Sequence, residues 1–203
     1  MVNKESLRKE ILQLVEQYGA LSPDISSFRR GESTIPPSGK VIGSGELRMM
    51  TDAVLDGWLT AGRFNEKFEK KLGEYLSVKH VLTTNSGSSA NLLAFTALTS
   101  PKLGDRAIQP GDEVITVAAG FPTTVNPMLQ NNCVPVFVDV DIPTYNINTD
   151  LLEEAYSKKT KAVMIAHALG NPYNLKAVKA FTEKYNLWLI EDCCDALGSE
   201  YNG

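Results

Sequence analysis

The sequence predicts an α/β fold: a mostly parallel sheet sandwiched by helices. Short β-rich apolar runs recur from residue 80 onward, helical stretches alternate with them, and the runs are continuously apolar. Strands that read as unbroken apolar runs are buried on both faces, and alternation with helices marks parallel strands joined by crossovers. Ligands in such sheets gather at the carboxyl ends of the strands, so chemistry is sought along that edge.

The elements follow in order. Leu7, Ile11, Leu12 and Val15 recur at helical spacing and predict a first helix over roughly residues 4–18. The next stretch, LSPDISSFRRGESTIPPSGKVIGSG, is rich in Pro, Gly and Ser and predicts an irregular arm. A second helix is expected from Glu46 to about Trp58. A third is expected from about Asn65 to Leu76, with Phe64, Phe68 and Leu72 four apart and Tyr75 and Leu76 on the same face. Strands are expected at His80–Thr84, Glu113–Ala118, Val134–Val140, Lys161–His167 and Leu187–Glu191. Helices are expected near Ser89–Thr99, Thr123–Asn131, Thr149–Ser157 and Leu175–Tyr185. There is no internal repeat and no low-complexity tract.

Composition narrows the function classes. The chain has 203 residues, 43% hydrophobic and 22% charged, enough to bury a sizeable core. With 24 acidic against 20 basic residues the net charge is −4, which argues against a nucleic-acid binder with a broad basic surface. No apolar run approaches the ~20 residues of a membrane span. The opening MVNKESLRKEILQLVEQYG has no apolar block, which predicts a cytoplasmic protein. The three cysteines include an adjacent pair, Cys193 and Cys194, which is not a secreted disulfide framework. Two histidines, His80 and His167, are too few for a histidine-built metal centre.

Four segments carry candidate chemistry. In VLTTNSGSSANLLAFTAL a strand ends near Thr84 and a helix opens at about Ser89, so Gly87, Ser88 and Ser89 form a plausible phosphate cradle at a helix start. An ordinary serine-capped turn reads the same way, and the segment is neither a P-loop nor GxGxxG. In VITVAAGFPTTVNPM, Phe121 follows a strand end, where it can stack on a flat ring or fill the core. In LWLIEDCCDALGS a buried strand ends in Glu191, Asp192, Cys193, Cys194 and Asp195, and carboxylates there are costly unless bonded. Alternation sends Asp192 and Cys194 to one side and Glu191 and Cys193 to the other. A buried aspartate can keep a pyridine nitrogen protonated, and a thiolate pair can ligate iron or zinc. Helix-capping carboxylates beside two packed thiols are the bland alternative. In MIAHALGNPYN, His167 reads as hydrogen-bonded structure and Gly170-Asn171-Pro172 as a turn.

WLTAGRFNEKFEKKLGEYL, NSGSSANLLA, GDEVITVAAGFPTTVNPML, VPVFVDVDIPTYNIN and IEDCCDALG, in that order, resemble the nucleotide-sugar aminotransferases of the fold-type-I pyridoxal phosphate class. The resemblance runs from about Pro36 to Gly203. It implies the N-terminal part of a fold-type-I PLP-dependent transferase large domain over residues 41–203, preceded by a helix and irregular arm over residues 1–40. Most members have an alanine pair and a glutamine where this chain has Cys193, Cys194 and Asp195. That departure is similar to the branch that dehydrates CDP-4-dehydro-6-deoxyglucose at carbon 3, towards 3,6-dideoxyhexoses of O-antigen. The branch uses pyridoxamine phosphate, a 2Fe–2S cluster and a separate flavin iron–sulfur reductase as electron donor.

Carried over, the resemblance gives the cofactor phosphate to Gly87, Ser88 and Ser89, the ring face to Phe121 and the ring nitrogen to Asp192. Asp195 stands near the ring hydroxyl, and Cys194 is the cluster ligand of the pair. Cys133 matches no functional position. The family's catalytic position, lysine in aminotransferases and histidine in the dehydratases, lies beyond Gly203, as do the other cluster cysteines and the small C-terminal domain. The resemblance thus implies an N-terminal portion without a catalytic residue of its own, acting on a nucleotide-sugar as part of a homodimer, with no nucleic-acid or membrane partner. A conventional PLP-dependent sugar aminotransferase and an inactive fragment retaining part of the fold are the other readings. A cluster-free dehydratase acting on a GDP-sugar is disfavoured by the cysteine pair.

Overall fold

The computed structural model describes residues 3–21, 28–35, 39 and 41–202. They fall into two compact units, Met1–Val81 and Leu82–Gly203.

The first unit is helical. Helix α1 spans Lys4–Ala20, opened by a capping box in which Asn3 accepts from the Ser6 N–H. Helix α2 spans Ser44–Asp56 and ends on Gly57 in the left-handed region. Helix α3 spans Arg63–Leu76. The buried Gly19 lets α1 approach α2 closely, since a Cβ there would lie 2.6 Å from the Ser44 Cα. Arg8 of α1 reaches α2 through Asp52 (Nε–Oδ1 2.7 Å) and Asp56 (Nη2–Oδ1 2.6 Å). Arg63 of α3 grips the same two carboxylates, at 2.7 Å to Asp52 and 2.8 Å to Asp56. Of the irregular arm expected between the first two helices, residues 22–27, 36–38 and 40 lie outside the described residues.

The second unit is the predicted α/β sandwich. In chain order it contains α4 (Gly87–Ala97), β1 (Glu113–Val117), α5 (Pro122–Gln130), β2 (Val134–Val138), α6 (Leu152–Ala155), β3 (Thr160–Ala166), α7 (Leu175–Lys184) and β4 (Trp188–Asp192). The strands pair in parallel in the order β2-β1-β3-β4. Side-chain alternation splits the sheet residues between two cores. Ile115, Val163 and Ile165 pack with Leu152, Val178 and Phe181 on the α6/α7 face. Val114, Ala162 and Met164 pack with Phe95 of α4 and Met128 of α5 on the other. Cys133 joins this second core, where burial and then Asp112 push its thiol pKa up.

Two expectations need correction. His80–Thr84 forms no strand among the described residues. A strand needs a neighbour for its N–H and C=O groups; neither edge strand, β2 or β4, takes this segment, and Leu82 is left 75% exposed. The helix expected at Thr149–Ser157 is a 3-10 turn, Thr149–Leu151, followed by the short α6. It stops because Tyr156 is extended (ψ 136°), with its ring stacked 3.7 Å from Tyr185 and edge-on to Phe181.

The ion-pair network sets an acid limit on the first unit. Hydrogen bonds from Arg63, with Arg8 adding to them, hold the Asp52 and Asp56 pKa values below the usual carboxylate range. Their contribution is complete above the unfolded value of about 3.9 and is lost as pH falls from there through the depressed folded values. Amide-exchange protection factors in α1 and α2, corrected for the intrinsic rate, should therefore fall below about pH 4, and R63Q should weaken that acid dependence.

Candidate functional site

A cavity of about 660 Å³ opens at the carboxyl edge of the sheet. Its wall draws on the start of α4 (Gly87, Ser88), the end of β1 (Thr116), the entry to α5 (Phe121, Thr124), and the ends of β3 and β4 (His167, Asp192, Cys194, Asp195).

The start of α4 is built by Ser86, whose side chain caps the helix by accepting the Ser89 N–H at 3.2 Å. The first intrahelical bond is Ala90 N–H to Ser86 O, at 3.0 Å. The early N–H groups of Gly87 and Ser88 are therefore left for a ligand at the positive end of the helix dipole. A Cβ on Gly87 would meet nothing within 4 Å, so this position borders open space. Ser89 lies in the same turn, hydrogen-bonded to Ser86, and does not line the cavity.

Phe121 is the residue preceding α5 and is 71% exposed on the cavity wall. That excludes the core reading of this phenylalanine and leaves its ring face available to a planar ligand.

At the end of β4, alternation does the sorting. Trp188 and Ile190 pack on the α4/α5 face, so Asp192 follows them there. Its Oδ2 accepts from Asn91 Nδ2 (2.8 Å) and Thr124 Oγ1 (2.9 Å), and its Oδ1 accepts from the Cys194 N–H (3.1 Å). Glu191 falls on the other side and bonds His167 Nε2 at 3.0 Å, with the His167 ring stacked flat on Tyr173 at 4.3 Å. Burial, then Glu191, pushes the Tyr173 phenol far up. Burial, then Glu191 and Asp192, raises the Cys193 thiol.

The two cysteines thus sit differently, as the alternation predicts: Cys194 lines the cavity beside Asp195, whereas Cys193 joins His167 and Glu191 in a group whose ligand atoms lie within 4.8 Å of one another. A 2Fe–2S cluster takes four protein ligands. This chain brings two thiols to the site and buries its third, Cys133, in the core. The residues present do not by themselves fit a cluster.

Sequence reasoning missed Asn91, Thr116, Thr124 and Asn146, and set His167 aside. Asn91 was legible as an amide inside the apolar run ANLLAF. His167 is indeed hydrogen-bonded structure, yet it also lines the cavity. Two buried atoms of the wall residues, Thr116 Oγ1 and His167 Nδ1, have no protein partner among the described residues. Gly170 stands in the left-handed region (φ 78°) where the expected turn begins.

A parallel four-stranded sheet flanked by helices is the fold of the fold-type-I pyridoxal phosphate enzymes. Residues 40–203 match the DegT/DnrJ/EryC1/StrS aminotransferase family, and the chain belongs to it. It is 68% identical over 200 residues to the lipopolysaccharide biosynthesis protein RfbH of Salmonella typhimurium, covering 98% of this chain and 45% of that protein. It is 45% identical over 196 residues to the dTDP-4-dehydro-2,6-dideoxy-D-glucose 3-dehydratase of Saccharopolyspora spinosa, covering 97% of this chain and 42% of that enzyme. A crystal structure of GDP-4-keto-6-deoxymannose-3-dehydratase with a trapped PLP-glutamate geminal diamine superimposes with a TM-score of 0.79 at 30% identity, over 84% of this chain and 44% of that one. The chain spans less than half the length of these relatives.

The cavity wall also tolerates little crowding at its rim. A Cβ on Gly170 would lie 2.6 Å from the backbone oxygen of Asp195 and would be strained by the positive φ. G170A should destabilise the second unit by about 1–3 kcal/mol, read as a lower urea midpoint.

Proposed function

We propose that this chain is the N-terminal part of an enzyme that dehydrates and deoxygenates CDP-4-dehydro-6-deoxyglucose at carbon 3, on the way to 3,6-dideoxyhexoses of O-antigen. The cofactors are pyridoxamine phosphate and, in the full-length protein, a 2Fe–2S cluster fed by a flavin iron–sulfur reductase. Residues 1–40 form a helix and arm ahead of the cofactor-binding large domain, and the protein acts as a cytoplasmic homodimer. Support comes from one observation above the others: Asp192 is fixed in the cavity by Asn91, Thr124 and the Cys194 N–H, with a thiol in the next cavity position along the chain. The names of the relatives, a lipopolysaccharide biosynthesis protein and a 3-dehydratase, point the same way.

The residues present fit pyridoxamine phosphate. Gly87 and Ser88, with Ser89 shaping their turn, bind the phosphate through N–H groups at a helix start, where an anion is favoured. Phe121 covers one ring face and excludes water from it. Asp192 holds the proton on the ring nitrogen. Asp195, on the same wall, would stand near the ring hydroxyl, at the position where relatives have a glutamine. When bound, pyridoxamine phosphate would supply the amine that condenses with the sugar's keto group and a ring that takes up the electron pair left when its methylene carbon loses a proton, returning it as the hydroxyl at carbon 3 leaves. Removal of that methylene proton needs a general base, for which a histidine with a pKa near neutral is suited. Cys194 is the cluster ligand we assign, because it lies on the cavity wall while Cys193 is turned to His167 and Glu191.

The aminotransferase reading predicts a different product. Full-length protein with reductase should deoxygenate the CDP-sugar and contain iron and labile sulfide; amino transfer from glutamate with neither iron nor sulfide would support the transaminase instead. D192N should cut deoxygenation by about two orders of magnitude, the size of losing one preorganised electrostatic partner. C194S should lose cluster iron, and loss in C193S alone would move that role to Cys193. Residues 1–203 alone should show no turnover and should aggregate, as exposed strand edges and apolar faces favour.

A further inference from the structure

We infer that Asn91 is a positioning residue joining the three elements that face the cofactor, and that with Thr124 it decides which oxygen of Asp192 meets the pyridine nitrogen. The inference rests on the reading of Asp192 given above. Asn91 lies on α4, one turn after Gly87 and Ser88. Its side-chain nitrogen donates to Asp192 Oδ2 at 2.8 Å and to the Thr123 backbone oxygen at 3.3 Å. Thr123 is the second residue of α5, two positions after Phe121. One amide thus ties the phosphate-binding helix start, the entry that carries Phe121, and the carboxylate at the end of β4. The opposite amide orientation would set its oxygen against two acceptors, so the donor assignment follows from the partners.

Thr124 Oγ1 donates to the same Oδ2 at 2.9 Å, and the Cys194 N–H donates to Oδ1 at 3.1 Å. An ionised carboxylate offers about four acceptor sites, two on each oxygen. Both sites on Oδ2 are filled, and one on Oδ1 is filled. The vacant acceptor site is on Oδ1, and a protonated ring nitrogen is received there. Asn91 and Thr124 thereby fix the rotation of the carboxylate.

The test uses the full-length protein and pyridoxamine 5′-phosphate, with affinity read by equilibrium dialysis. N91A and T124V should each weaken binding about tenfold, as expected for losing a hydrogen bond to a charged group. T124S, which returns the hydroxyl, should recover most of that affinity. In a D192N background N91A and T124V should cost little more, because their effect passes through the carboxylate. Equal losses in both backgrounds, or no loss in either, would overturn the inference and leave the role of Asp192 standing. An unchanged affinity in D192N itself would instead overturn the reading of Asp192. Should N91A fail to fold by circular dichroism, the T124V and T124S pair and a cofactor-bound crystal structure decide: ring nitrogen on Oδ1 supports the assignment, and ring nitrogen on Oδ2 with Asn91 displaced refutes it.

Discussion

A carboxylate at the half-buried end of a parallel strand keeps one orientation only where donors hold it, and hydrogen bonds to a charged acceptor are the stronger kind. Asp192 is met by donors from α4, from α5 and from the chain just past its own strand. Those donors come from segments about a hundred and about seventy residues earlier in sequence, so the carboxylate is satisfied only once the sheet is assembled with α4 and α5 on one face. The site is in this sense a product of sheet order: β1 sits between β2 and β3, and its crossovers bring α5 alongside α4 over the end of β4.

The same alternation that fills the two cores divides the chemistry. Even-numbered positions of β4 run Trp188, Ile190, Asp192 along the α4/α5 face, and the odd ones lead through Leu189 to Glu191 on the α7 face. Glu191 there pairs with His167, which follows the strand next to β4 and is stacked on Tyr173. A one-residue slip in the β3–β4 register would exchange the two sets and bury Glu191 where Asp192 belongs. Register is therefore a functional quantity in this fold, and the apolar pattern of both faces enforces it.

How much was legible in the sequence follows from what each feature depends on. The four paired strands and helices α4, α5 and α7 were readable because apolar run and helical period are local properties. His80–Thr84 was not, because a strand is a relation to a neighbour and its sequence is equally compatible with an unpaired extended segment. The helix after Thr149 was overestimated because Tyr156 gains more from stacking on Tyr185 than from one further helical turn. The placement of Gly87, Ser88, Asp192, Cys194 and Asp195 along one cavity was legible because polar groups at helix starts and strand ends collect at one edge of a parallel sheet. Asn91 and Thr124 were not singled out, since their importance lies in partners that only the tertiary structure supplies.

The polarity of the cavity narrows what it can hold. Its wall carries two carboxylates, Asp192 and Asp195, and one imidazole, His167, with no lysine or arginine among the lining residues. Among the described residues, the two early N–H groups of α4 with the Ser88 side chain offer donors to an anion there. A cationic group can be held only by the carboxylates at the ends of β4 and of the turn after it. The ligand proposed above, a flat molecule with a phosphate at one end and a protonated nitrogen at the other, would match this wall at Ser88, Phe121 and Asp192. A ligand lacking the phosphate would leave the helix start unsatisfied, and one lacking the cationic nitrogen would leave Asp192 Oδ1 with an open acceptor inside the cavity. Specificity in this site thus comes from the penalty on partial matches more than from the strength of any single contact.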